Sequence, residues 1–207
     1  MLKLERTSVM NLENAMRGAR NPMNSWGRMD SFYDENGEYK LGPNDLDLAK
    51  RLRKAGSDHR KFLRQVFVSV DVTAPLYWWK EYDTYKVATV ANSTSTMHKI
   101  AAKEFAIEDF SDEHLETGWL ACLDDTIIPL LNRARTKFIE TKDKRYWWQM
   151  IQLLPSSYNQ TRNVMLNYEV LANIYRQRKN HKLDEWREVC KWIESLPYSE
   201  LITGEEE

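Results

Sequence analysis

The sequence is poor in cysteine, with Cys122 and Cys190 alone in 207 residues. They form no CxxC pair and no Cys/His cluster, which argues against a zinc site, and no metal ligands are expected. Two isolated thiols fit a reducing cytoplasm, each as a small buried apolar side chain. Nor is there an excess of one charge sign: 30 basic against 31 acidic residues leave a net charge of -1. A general nucleic-acid binder carries a basic excess, so neither DNA nor RNA is an expected partner. No apolar run approaches the length of a membrane span. The opening MLKLERTSVM has no apolar core of signal-peptide length, so a cytoplasmic protein without membrane association is expected. The end, Thr203, Gly204, Glu205, Glu206 and Glu207, reads as a frayed acidic tail.

What is present is the composition of a soluble globular protein, 29% charged and 42% hydrophobic. With no internal repeat and no linker, residues 1–207 read as one domain. Glu13 to Arg20 belongs to a short helix stopped before Pro22. Residues 27–43, rich in Gly, Asp, Asn and Ser, read as loop. Asn44 is expected to cap a helix running through Ala55, with Gly56 just past its end. Val66, Val68, Val70 and Val72 alternate with Phe67, Ser69 and Asp71, the period of a strand, which Pro75 ends. Leu76 to Asp83 reads as an aromatic helix. Asp112 to Glu140 reads as a long helix, because Leu115, Trp119, Cys122, Leu123, Ile127, Leu130 and Leu131 recur at three and four. Pro129 is expected to bend or split it. Lys144 to Leu154, Leu171 to Gln177 and Leu183 to Leu196 are further helices, and 161–166 is compatible with a strand. The fold class is α+β, a helix-rich single domain with a small antiparallel sheet.

One segment stands out. VATVANSTSTMHK, residues 87 to 99, follows Tyr77, Trp78, Trp79, Tyr82 and Tyr85. Asn92 precedes four hydroxyl residues, Ser93, Thr94, Ser95 and Thr96, and His98 follows. With neither Gly nor Pro it is not an ordinary linker. Such a run either satisfies its own backbone as a polar turn or holds phosphate oxygens through hydroxyls and N–H groups.

Two separated blocks resemble the flavin-dependent thymidylate synthases. The first is VFVSVDVTAPLYWWKEYDTYKVATVANSTSTMH: a strand ending in Ala74 and Pro75, an aromatic helix, then a segment where that family has RHRxxSxxxxSxRY. Thr84, Tyr85 and Lys86 fall on Arg-His-Arg, Thr89 on the first Ser, and Thr94 or Ser95 on the second. The second block is LLPSSYNQTRNVMLNYEVLANIYRQRKNHKLDEWR, with Leu154, Pro155, Asn167, Leu171, Asn173, Arg178, and Glu185, Trp186 and Arg187 at family positions. Phe62 and His59 correspond loosely to an upstream Phe and His. The match spans roughly residues 57 to 190.

The resemblance implies a thymidylate-synthase-complementing-like fold and an enzyme that moves a one-carbon unit from methylenetetrahydrofolate to uracil C5. FAD, reduced by NADPH, supplies the hydride. It implies FAD contacts at Tyr85, Lys86, Thr89, Asn167 and Asn173. A pyrimidine nucleotide, dUMP-like, would lie at Asn92, Ser93 to Thr96 and Arg178, with Arg178 as the catalytic cation. It also implies a homotetramer with shared sites. Each residue has a plainer role beside this one: Asn167 suits a helix N-cap, Arg178 suits helix C-terminal carbonyls, and Tyr85 suits a core.

The chain departs from the family pattern where it matters. Of Arg-His-Arg only the cation Lys86 remains, a point charge without a bidentate fork. No Arg follows the second hydroxyl position, and Ile151 stands where another Arg is expected. Arg17, Arg20 and Arg162 are the candidate substitutes for a phosphate clamp. Loss of these arginines also admits a different nucleotide in modified-base biosynthesis, or a non-catalytic nucleotide-binding or assembly protein.

Overall fold

The computed structural model describes residues 2–204, so the acidic residues 205–207 lie outside the described residues. The fold is α+β and helix-rich, with small antiparallel sheets, as the alternation and periodicity imply. In chain order the elements are β1 (Lys3–Met10), α1 (Leu12–Ala19), β2 (Phe32–Tyr33), β3 (Tyr39–Lys40), α2 (Pro43–Lys54), β4 (Phe67–Pro75), α3 (Leu76–Tyr82) and β5 (Val90–Ser93). There follow α4 (Thr117–Cys122), α5 (Ile128–Thr141), α6 (Lys144–Leu153), β6 (Asn159–Asn167), α7 (Tyr168–Arg178), α8 (Asp184–Glu194) and α9 (Glu200–Thr203). The main sheet has the order β1-β4-β6-β5, and β2 pairs with β3 in a separate hairpin.

The chain forms two compact units. Among the described residues, the first comprises residues 2–3, 71–84 and 91–163, the second residues 4–70, 85–90 and 164–204. In the first, Ile100, Phe105, Phe110, Leu123, Ile128, Leu131, Ala134 and Met150 make a buried cluster. In the second, Met16, Leu63, Tyr168, Leu171, Ile174, Trp186, Ile193 and Leu201 are fully buried. Val68, Val70, Val72 and Ala74 are buried along β4, as is Val66 just before it, while the residues between them are not, so the period-two pattern reports one covered face.

Several expectations are corrected. Residues 27–43 are not plain loop: β2 and β3 pair Phe32 with Lys40 and Tyr33 with Tyr39. Gly37, at φ 76°, closes the turn while the Asp34 carboxylate accepts from the Asn36 and Glu38 N–H groups. Asn44 does not cap α2. The N-cap is Gly42, with Pro43 in the first turn, and the distant Asp30 carboxylate accepts from Asn44 N at 2.8 Å and Asp45 N at 3.0 Å. A Cβ at Gly42 would collide with Asp30, so the glycine admits this cap. The 3₁₀ segment Arg60–Gln65, β1 and α9 carry no period long enough to be read from sequence.

The long helix expected over 112–140 begins at Thr117 and is interrupted by a π-helical turn, Leu123–Ile127. Pro129 then sits in the first turn of α5, directly after the π turn. One extra residue in the π turn rotates the flanking helices by about 100° relative to each other. The apolar stripe therefore divides. Leu123, Ile128 and Leu131 are buried, whereas Leu115, Trp119 and Leu130 are exposed, Trp119 at 69%. Cys122 is exposed too, against the expectation of burial; Cys190 is buried, and burial pushes its thiol up to about 11.

Candidate functional site

In the second unit, α7 sets the arrangement. Asn167 is its N-cap, its side-chain oxygen accepting from Val170 N at 3.0 Å, and Arg176 and Arg178 lie in its last turn. Burial of Tyr168, Leu171 and Ile174 fixes the helix's rotation. Arg178 then meets the buried pair Tyr85 and Trp186. Its Nε donates to Tyr85 Oη at 2.8 Å, and its guanidinium lies 4.7 Å from the Trp186 ring centroid and 5.6 Å from that of Tyr85. The two rings meet edge to face at 5.8 Å, and Tyr85 Oη donates to Gln177 Oε1 at 2.9 Å. A guanidinium against two aromatic rings with its Nε fixed is a strongly oriented cation. It is suited to meeting a phosphate or a carbonyl oxygen.

The other expected residues of this unit surround that cluster differently. Lys86 is exposed on an open turn in which Ala88 has φ 58° and Thr89 Oγ1 donates to the Tyr85 carbonyl. Asn173 Oδ1 accepts from Arg176 Nη2 at 3.2 Å and Gln177 Nε2 at 3.1 Å. Both asparagine oxygens thus have partners within α7.

The hydroxyl run belongs to the first unit. Asn92 and Ser93 lie exposed on β5. Thr94 continues the sheet, its N–H donating to Thr161 O at 2.9 Å while Gln160 Nε2 donates to Thr94 O at 2.7 Å. Ser95 Oγ accepts from His98 N at 2.9 Å, so the polar turn does satisfy its own backbone. Thr94, Ser95 and Thr96 nevertheless line a cavity of 110 Å³ with Lys99, Lys103 and Tyr158. That volume suits a small anion or a few waters rather than a whole nucleotide. A second cavity of 540 Å³ shares Thr94, Lys103 and Tyr158 and adds Thr73, Thr161 and Asn159.

The substitute arginines are engaged elsewhere. Arg20, 4% exposed, donates from Nε to the fully buried Asp45 at 2.6 Å. Burial pushes the Asp45 carboxyl up, but the Ser31 hydroxyl and Arg20 guanidinium outweigh it and hold the carboxyl below its usual range. Arg162 donates to Asp83 Oδ1 at 2.7 Å and lies 4.1 Å from the Trp79 ring centroid. Arg17 lies over Trp26. Phe62 is buried, and His59 and His98 are exposed.

Sequence reasoning did not find Gln177 or the role of Trp186. Trp186 stands in the Glu185–Arg187 segment, yet only packing brings its ring against Arg178. Gln177 carries no signal in the sequence.

No protein-family model matches the sequence, and no curated protein does. Solved structures do match in fold. Thymidylate synthase X from Helicobacter pylori, solved with FAD and dUMP, superposes with a TM-score of 0.70 at 15% identity, covering 98% of this chain and 98% of that one. A second structure of the flavin-dependent thymidylate synthase from Helicobacter pylori, complexed with FAD and dUMP, matches at 0.70 and 16% over 99% of this chain and 100% of that one. The chain therefore has the fold of these structures over nearly its full length.

Proposed function

We propose that the protein is a flavin-dependent, thymidylate-synthase-like enzyme that transfers a one-carbon unit to a pyrimidine deoxynucleotide of the dUMP type. What supports this most is the conjunction of a full-length fold match with an oriented Arg178 at the family position. Arg178, held by Tyr85 and Trp186, is the cation for the nucleotide. FAD is the proposed cofactor, with NADPH and methylenetetrahydrofolate as co-substrates in a cytoplasmic setting.

The residues present fit FAD in part. The exposed Lys86 and the open turn to Thr89 suit its charged portion. Tyr85, 8% exposed, offers little ring surface for stacking. When bound, the reduced flavin supplies hydride; the chain's part is to orient the nucleotide and fix the charge around it. Association into a homotetramer is supported by the exposed apolar residues Trp119, Leu130, Trp148 and Leu153 of the first unit.

Reconstitution with FAD tests the reading: flavin absorbance that co-purifies with the protein, and calorimetric binding of dUMP, are expected. Failure of both removes it and leaves a non-catalytic assembly protein. Light scattering should show a stable oligomer at micromolar concentration. A second reading, the same fold acting on another nucleotide in modified-base biosynthesis, is favoured by one observation: Arg20 and Arg162 are held by Asp45 and Asp83 and do not replace the missing phosphate arginines. Tighter binding of a different pyrimidine nucleotide than of dUMP would select it.

A further inference from the structure

The second unit contains a cavity that shares no residue with the Arg178 cluster. It encloses about 830 Å³ between β1, the start of α1, the β2–β3 hairpin and the end of α8. Thr7, Val9, Asn11, Leu12 and Asn14 form one side. The hairpin supplies Tyr33, Tyr39, Glu38 and Lys40, and the C-terminal region supplies Trp192 and Tyr198. That size is ordinary for a small-molecule site.

Its chemistry is unusual in one respect: four aromatic rings meet two carboxylates. Tyr33 and Tyr39 stand edge to face, centroids 5.3 Å apart at 63°, and so make a corner of two ring walls. The other two rings are pinned by their polar ends. Trp192 Nε1 donates to Thr7 Oγ1 at 3.0 Å, and Tyr198 Oη accepts from Leu41 N at 2.7 Å. Tyr33 Oη donates to Glu13 Oε2 at 2.6 Å, a bond that sets Glu13 beside the corner and pushes the Tyr33 hydroxyl up from its usual range. Among the described residues that line the cavity the one cation is Lys40, held by Glu38 at 2.5 Å and by Asp34 at 3.4 Å. Its charge is thus balanced within the hairpin, whereas Glu13 lines the cavity beside Tyr33.

Ring walls at an angle, in a cavity also lined by carboxylates, favour a compact organic cation. The ring faces attract it through their quadrupoles, and the methyl groups of an alkylated ammonium fill the corner without needing hydrogen bonds. An anion would meet two carboxylates, and a neutral apolar group would gain nothing from them. We infer that this cavity binds an alkylammonium-type organic cation, through Tyr33, Tyr39, Trp192 and Glu13. The cavity is open to solvent at Tyr33, which is 58% exposed, so binding is weak to moderate.

The probe is choline, with 3,3-dimethyl-1-butanol as its neutral isostere and sodium chloride as the salt control, each titrated into the full chain and followed by NMR. Choline should produce saturable shifts beyond those of the salt. The neutral isostere should bind at least about threefold more weakly, the ratio expected from an exposed cation–π contact. Glu13→Gln and Tyr33→Leu, both at exposed positions, should each weaken choline binding, and Arg178→Ala should not. Equal binding of the isostere would overturn the inference, as would unchanged binding in both cavity variants. Choline shifts no larger than those of the salt would overturn it as well.

Discussion

The two regions singled out by sequence, the hydroxyl run and the Arg178 cluster, are built in opposite ways. Ser93 to Thr96 is exposed or half-buried: β-ladder bonds to Gln160 and Thr161 anchor Thr94, and beyond it a local turn is closed by Ser95 and His98. Arg178 and Trp186, on the consecutive helices α7 and α8, meet Tyr85 from a distant part of the chain, and the three are held by packing, with Tyr85 and Trp186 buried. A local motif of small polar groups forms wherever its backbone goes, so its presence says little about a ligand. An oriented guanidinium against two buried rings exists only in the folded chain, and each partner restricts the others. The second region is therefore the more informative about a ligand.

Mutations at the two regions should differ accordingly. The largest effect is expected from Trp186→Ala, which removes a fully buried indole and both ring contacts. It should lower the unfolding free energy by about 3–5 kcal/mol, read from the urea midpoint. A loss below about 1 kcal/mol, the scale of one ordinary hydrogen bond, would mean that the cluster is not held by packing. Arg178→Ala comes next, on binding rather than stability. A hydrogen bond to a charged group is worth roughly 1.5–3 kcal/mol, so pyrimidine nucleotide affinity should fall about ten- to a hundredfold by calorimetry. Unchanged affinity, with the circular dichroism spectrum intact, would reduce Arg178 to a helix-end cation and would reverse the comparison.

Tyr85→Phe sharpens it further. The ring stays, but Oη, which accepts from Arg178 and donates to Gln177, is lost. Stability should drop by about 0.5–1.5 kcal/mol. Nucleotide affinity should fall as well if Tyr85 orients the cation; a stability loss with unchanged affinity would limit Tyr85 to a packing role. The smallest effect belongs to Ser95→Ala. It removes one turn hydroxyl whose neighbours Thr94 and Thr96 remain, so nucleotide affinity should change less than in Arg178→Ala, and stability by no more than about 1 kcal/mol. An affinity loss as large as that of Arg178→Ala would make the hydroxyl run a principal part of the site.

The sequence by itself determined the elements whose pattern is local. The alternation of Val66 to Val72 reports a strand because side chains along a strand point to opposite faces. Asn167 before Tyr168 reports a helix start because its short side chain reaches the N–H of Val170. The α+β class followed from these signals, and the family motif placed Arg178 and Tyr85 among the candidate residues. Tertiary structure alone decided what depends on distant partners. It capped α2 with Asp30 instead of Asn44, because a carboxylate delivered by the segment before β2 satisfies two N–H groups at once. It divided the apolar stripe of 112–140 by inserting a π turn, which leaves Trp119 and Cys122 exposed. It assigned Arg20 to Asp45, since a buried carboxylate without a cation is far costlier than a surface arginine without a phosphate. It brought Tyr85 to Gln177 and Arg178 of α7 and to Trp186 of α8, a meeting that no spacing along the chain encodes, because side chains from separate segments converge only when the core between them closes.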